Sequence, residues 1–133
     1  MSNIPADTLR ARDVMKSAFD VVDGKLTVRQ ALAQMQHPET SVLVVRKRHA
    51  DDECGIVLLA DIARQVLAKN RSPDRVNIYE IMSKPVLGVP ADMALRHCAR
   101  MFERFGIGHA PVQENGDIVG IISYADMVLH GYR

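Results

Sequence analysis

The chain has no tryptophan, two cysteines and few aromatic residues, 5% in all. So few aromatics leave little of the stacking surface on which single-stranded nucleic acids are held. Cys54 and Cys98 lie far apart, with no C-x-x-C spacing and no histidine at ligand spacing. They are expected to be free, buried thiols in a reducing compartment rather than a disulfide or a metal site. The histidines at 37, 49, 97, 109 and 130 form no metal-spaced set, so no metal is expected. Neither sign of charge is in excess: the formal net charge is +1, which gives no global drive toward nucleic acid or acidic membranes. No apolar run approaches the roughly 18 residues needed to span a bilayer. Met1 to Asp7 has neither the basic flank nor the apolar stretch of a secretory signal, so a cytoplasmic location is expected. No nucleophile is paired with a base and no G-x-x-x-x-G-K loop occurs, so the chain is not expected to be an enzyme.

What is present is an ordinary globular composition, 133 residues with 47% hydrophobic and 25% charged. That is enough for one domain or two small packed units. The densest basic cluster, Arg46-Lys47-Arg48-His49, is followed at once by Asp51, Asp52 and Glu53. The alternation of sign favours a solvated hairpin loop over a nucleic-acid patch.

Read in order, Leu9 to Met15 is a short helix, Ala18 to Val22 a short extended segment, and Asp23-Gly24 a turn. Thr27 opens a helix with Gln30 three residues on, a capping-box pattern. Val28, Ala31, Leu32 and Met35 fall on one apolar face, and His37-Pro38 ends the helix. Ser41 to Val45 and Gly55 to Leu59 read as strands paired across a charged loop. Asp61 to Lys69 reads as a helix with Ile62, Val66 and Leu67 inward, and residues 70–75 form a linker.

The sequence then repeats. At one constant offset Val14-Met15 falls on Ile81-Met82, Val22 on Val89, Arg29 on Arg96, and Val42 to Val45 on His109 to Val112. After a deletion in the hairpin loop, Gly55-Ile56 matches Gly120-Ile121 and Ala60-Asp61 matches Ala125-Asp126. The shortened loop carries Asn115-Gly116, a strong hairpin signal. The fold class is therefore α/β (α+β): two βαββα-type repeats, 9–69 and 76–131, joined by the linker. Each repeat of about 60 residues buries little surface alone, so the two are expected to pack about a pseudo-twofold axis.

Three motifs mark the repeated unit: Arg12-Asp13-Val14-Met15 with Tyr79-Glu80-Ile81-Met82, then Gly106-Ile107-Gly108-His109-Ala110-Pro111-Val112, then Gly120-Ile121-Ile122-Ser123-Tyr124-Ala125-Asp126. In these the chain resembles the cystathionine-β-synthase (CBS) domain pair, or Bateman module. The resemblance covers almost the whole chain, from about Leu9 to about His130. It implies a non-catalytic regulatory module that binds an adenosine-type ligand, such as AMP, ADP, ATP or S-adenosylmethionine, between its repeats. That small molecule would be a regulatory ligand rather than a required cofactor. It also implies a homodimeric disc of four CBS domains. Because the module is nearly the whole sequence, any output would be delivered to a protein partner on another chain. The alternatives are a CBS-type interaction module without ligand and, disfavoured by charge, a nucleic-acid-binding module.

The same resemblance places the ligand beside Ser123 and Asp126. An ionised carboxylate can accept from both hydroxyls of a ribose and a serine can donate to a phosphate oxygen, yet Ser-x-x-Asp is equally a helix cap. Relatives wall the adenine with two segments, which here supply Ser83, Pro85, Leu87, Ile107 and Gly108. Core packing is the other reading of Leu87 and Ile107. His109 stands where relatives often carry a phosphate-touching basic residue, or is a hairpin histidine held by backbone. The first repeat has Leu58 where the second has Ser123, so Asp61 is expected to mark a weaker second site at most.

Overall fold

A computed structural model describes residues 8–84 and 87–133. The order of elements is α1 (Ala11–Val14), β1 (Asp20–Val22), α2 (Val28–Gln34), β2 (Val42–Val45), β3 (Gly55–Leu58), α3 (Leu59–Ile62), β4 (Val89–Pro90), α4 (Leu95–Phe105), β5 (His109–Glu114), β6 (Asp117–Ser123) and α5 (Tyr124–Gly131). The described residues form two three-stranded sheets, β1-β2-β3 and β4-β5-β6. In each the first strand is parallel to the second, and the second antiparallel to the third. The mixed α+β class and the duplication read from the sequence are both present. No described helix is long and apolar enough to cross a membrane.

The compact units are drawn differently from the sequence repeats. One contains residues 19–86 and the other residues 1–18 together with 87–133. The opening segment of each repeat is therefore housed in the unit built mainly by the other repeat. In the unit of residues 19–86, Ile78 and Ile81 pack with Val28, Leu43, Val57 and Val66. Ile78 N–H donates to Leu26 O at 2.9 Å, and Thr27 forms an isolated bridge with Asn77. In the other unit, Ala11 and Val14 pack with Leu95, Phe102, Val112 and Ile122. There Ala11 and Arg12 N–H donate to Met93 and Ala91 carbonyls, both at 2.9 Å.

Local signals account for most element ends. Gln30 N–H donates to Thr27 Oγ1 at 3.2 Å and Thr27 N–H to Gln30 Oε1 at 3.0 Å, the reciprocal box expected of that pair. Both opening motifs use a carboxylate likewise: Arg10 N–H donates to Asp13 at 2.7 Å and Asn77 N–H to Glu80 at 2.6 Å. Asn115 and Gly116 both take positive φ, 53° and 84°, as a tight hairpin with right-twisting strands requires.

Three details depart from the expectations. Helix α2 stops at Gln34, before His37, because Asp20 accepts the N–H groups of Gln36 and His37, each at 2.8 Å, and fixes an extended exit. Leu32, expected on the apolar face, is 39% exposed. The helix begun by α3 widens into a π turn over Ala63–Leu67, which rotates Leu67 outward to 78% exposure while Val66 stays buried. The extra residue per turn displaces the apolar face that a regular helical period projects. Both cysteines are free; Cys98 is buried, with its thiol pushed up to about 11 by desolvation, while Cys54 is only partly buried.

Candidate functional site

Strand β6 ends at Ser123, whose backbone is extended while Tyr124 begins α5. Asp126 falls in the first turn and folds back on the strand end. Its Oδ2 accepts the Ser123 N–H at 2.8 Å and the Ser123 hydroxyl at 2.9 Å. The Asp126 N–H points at Ser123 Oγ at 3.3 Å. The carboxylate is 3% exposed, and its other oxygen, Oδ1, takes the ammonium of Lys16. A charge so nearly buried is held only because a cation and charge-assisted hydrogen bonds offset its desolvation.

Lys16 arrives through backbone pairing. Its N–H donates to Ile121 O at 2.8 Å and its carbonyl accepts the Ile121 N–H at 2.9 Å. Close approach there depends on Gly120, where a Cβ would stand 2.9 Å from the Lys16 carbonyl oxygen and from Met15 Cγ. His109 lies opposite Ser123 in the β5–β6 register. Burial lowers the pKa of His109 from the ordinary 6.5; the charge of Asp126 opposes this and that of Lys16 adds to it. The imidazole is therefore neutral at neutral pH and offers one donor and one acceptor.

The structure thus gathers Ser123, Asp126 and His109 around Lys16. Ile107 and Gly108 precede His109 in the same unit, both half-buried, Ile107 against the core and Gly108 with open space where a Cβ would be. Leu87 belongs to that unit too, and is 39% exposed. Ser83 does not: it is exposed and bridged to Ile56 on β3, in the unit that holds Asp61. Pro85 lies outside the described residues. Lys16 is the participant that sequence reasoning missed. Its signal was the repeat itself, which sets Lys16 and Ser83 at equivalent positions. The opening segments exchange between the compact units, which brings Lys16 rather than Ser83 to Asp126.

The first-repeat counterpart is simpler. Asp61 accepts the Leu58 N–H at 2.8 Å and pairs with Arg64 at 3.0 Å, one turn along its own helix. Among the described residues no hydroxyl joins it, since Leu58 holds the position of Ser123. Its side chain is 23% exposed, and the arrangement is that of a helix cap with a neighbouring cation.

The glycines of the two closing motifs yield a test of this cross-pairing. A Cβ on Gly55 would meet only the Met82 side chain, its sulfur at 2.7 Å, which can swing away. A Cβ on Gly120 meets backbone. Gly120→Ala is expected to destabilise by about 1–3 kcal/mol, and Gly55→Ala by under about 1 kcal/mol, as urea denaturation would show. Equal costs would contradict the close approach of the Lys16 segment.

The two sheets, each with one parallel and one antiparallel strand pair, and the duplicated strand–Ser/Leu–x–x–Asp ends define a tandem α+β fold. The CBS domain family model matches residues 11–68 and 78–131, and the chain belongs to the CBS domain family. It is 32% identical to a hexameric CBS-CP12 protein from bloom-forming cyanobacteria, with a TM-score of 0.87 over 93% of this chain and 72% of that one. A CBS domain protein of unknown function from Thermoplasma acidophilum is 28% identical, with a TM-score of 0.78 over 94% of this chain and 69% of that one. An uncharacterised protein of Methanopyrus kandleri is 31% identical over 82% of this chain and 57% of its own length. The chain therefore spans under two thirds of that relative.

Proposed function

We propose that this chain is a non-catalytic regulatory module that binds an adenosine-type ligand, AMP, ADP, ATP or S-adenosylmethionine, beside Ser123 and Asp126. The observation that carries the reading is the buried Asp126 carboxylate at a strand end, with Lys16, Ser123 and His109 converging on it. A ribose diol would take the Oδ1 face of Asp126 in place of Lys16. The displaced ammonium, 33% exposed, is then available to a phosphate, which a neutral His109 also reaches by donating a hydrogen bond. The ammonium then pairs with the phosphate, while the carboxylate is held by charge-assisted hydrogen bonds from Ser123 and from the diol. A ligand that prefers one arrangement of the chain shifts its population by that preference, which is how a partner protein would read occupancy.

A second reading, an interaction module without ligand, is favoured by the completeness of the Asp126 hydrogen bonding within the chain itself. The two are separated by mass spectrometry of small molecules released from purified protein, followed by calorimetric titration with AMP, ATP and S-adenosylmethionine. Release of an adenosine compound and its rebinding support the sensor. Silence from all three on folded protein would overturn the sensor and favour the interaction module.

Self-association fits the outer face of α5, where Val128, Leu129 and Tyr132 are exposed beside a groove lined by Leu95, Ala99 and Met127. The cyanobacterial relative is itself described as hexameric. A homodimer formed on this face is expected to dissociate in Val128→Asp, as sedimentation velocity would report, with no change in the circular dichroism spectrum. A cytoplasmic location belongs with this reading.

A further inference from the structure

A second concave site lies in the unit of residues 19–86, at the end of its sheet remote from Asp61. Residues Val42 and Leu58 pair at the Asp61 end, and Val45 and Gly55 at the other. There a cavity of about 610 Å³ is lined by Lys25, Arg46, Lys47, Arg48, Tyr79 and Lys84. Its framework is tied down. Arg46 N–H donates to Val22 O at 2.8 Å, extending the β1–β2 pairing by one step. Tyr79 N–H donates to Gly24 O at 3.0 Å, and Gly24 permits that approach because a Cβ there would crowd Val45 and Tyr79. The hairpin loop is anchored by Asp52, which accepts the Arg48 N–H at 2.9 Å and holds the Lys84 ammonium at 2.8 and 2.9 Å.

The charge is unbalanced. Asp52 is paired with Lys84, and Asp23, the one lining carboxylate, accepts the Lys25 N–H at 2.9 Å within its turn and keeps its negative charge. Among the described residues the side chains of Lys25, Arg46 and Lys47 make no hydrogen bond or ion pair. The Arg48 guanidinium stands over the Tyr79 ring, 5.9 Å from its centroid. Five cations against the carboxylates of Asp23 and Asp52 leave an excess of three positive charges around one cavity, more than a single phosphate would occupy. The acidic residues that follow in the loop, Asp51 and Glu53, end the basic surface, so it does not continue into a track for a long polymer.

We infer that this cavity binds a small polyphosphate, an anion of two or three linked phosphates, free or carried by a nucleoside. Planar guanidinium forks suit paired phosphate oxygens, and the lysines add point charge. The test is calorimetric titration of the intact chain with sodium tripolyphosphate, at low and at moderate salt. Tripolyphosphate is expected to bind more tightly than inorganic phosphate and to weaken steeply with salt. Arg46→Gln with Lys47→Gln is expected to weaken it by tenfold or more. These residues are exposed, so the variant is expected to fold; Lys25→Gln provides an independent second variant. Asp126→Asn, at the other site, is expected to leave tripolyphosphate binding unchanged. In the Asp126→Asn background, ATP binding together with tripolyphosphate binding identifies a nucleotide source, and tripolyphosphate alone an inorganic one. No binding at low salt, loss of binding in Asp126→Asn, or tighter retention of single-stranded RNA than of tripolyphosphate would each overturn the inference.

Discussion

Asp126→Asn is expected to lower affinity for the adenosine-type ligand by about 100-fold while the chain remains folded. A hydrogen bond to a charged group is worth about 1.5–3 kcal/mol, and each 1.4 kcal/mol is about tenfold in affinity. An asparagine keeps one acceptor oxygen, which can still take the Ser123 N–H now held at 2.8 Å. It loses the second acceptor and turns an amide donor toward Lys16, where an ammonium already stands. The cap is therefore weakened by about 1–2 kcal/mol, whereas the diol loses its charged acceptor altogether. Calorimetric titration beside thermal denaturation reads both effects. The matching change Asp61→Asn is expected to leave affinity within about twofold, because Leu58 brings no hydroxyl and Asp61 is paired along its own helix. Equal losses from the two substitutions would end the assignment of the ligand to the Ser123 side.

The contrast between Asp126 and Asp61 was legible in the sequence, since it needs only the alignment of two repeats. So were the Thr27–Gln30 box and the Asn115-Gly116 hairpin, because each depends on residues a few positions apart. What was not legible is the company Asp126 keeps. Met15 and Met82 are equivalent, as are Gly55 and Gly120. Either methionine satisfies the pattern with either glycine. Only packing decides that Met15 meets Gly120 and Met82 meets Gly55. With that choice Lys16 comes to Asp126, and Ser83 goes to the unit of Asp61. The π turn at Ala63–Leu67 was hidden for a similar reason, as no local residue dictates an extra residue per turn.

Phe102→Ala is expected to cost about 3–5 kcal/mol, the range for removing a buried aromatic side chain. Phe102 is fully buried and the largest such side chain described. It packs with Val14, Leu95, Cys98, Val112, Ile122 and Met127, so its loss opens a cavity that elements from four stretches of the chain would have to close. It also meets Tyr124 edge to face, with centroids 5.2 Å apart and planes at 72°. Such a pair adds about 0.5–1.5 kcal/mol beyond area burial. Tyr124 is the residue after Ser123 and opens the helix that carries Asp126. The cavity therefore removes the support behind the first turn of α5 as well as core volume. In urea denaturation the loss is expected in the transition of the unit containing residues 87–133. Phe105→Ala on the same helix, where the ring is 55% exposed, is expected to stay within about 0.5 kcal/mol of wild type. Ligand affinity of the Phe102 variant, measured where it is still folded, is expected to fall as well, because Asp126 is no longer held in register with Ser123. A variant as stable as Phe105→Ala would show that Phe102 does not anchor this core, and an unchanged affinity would show that the Ser123 cap stands without the ring behind it.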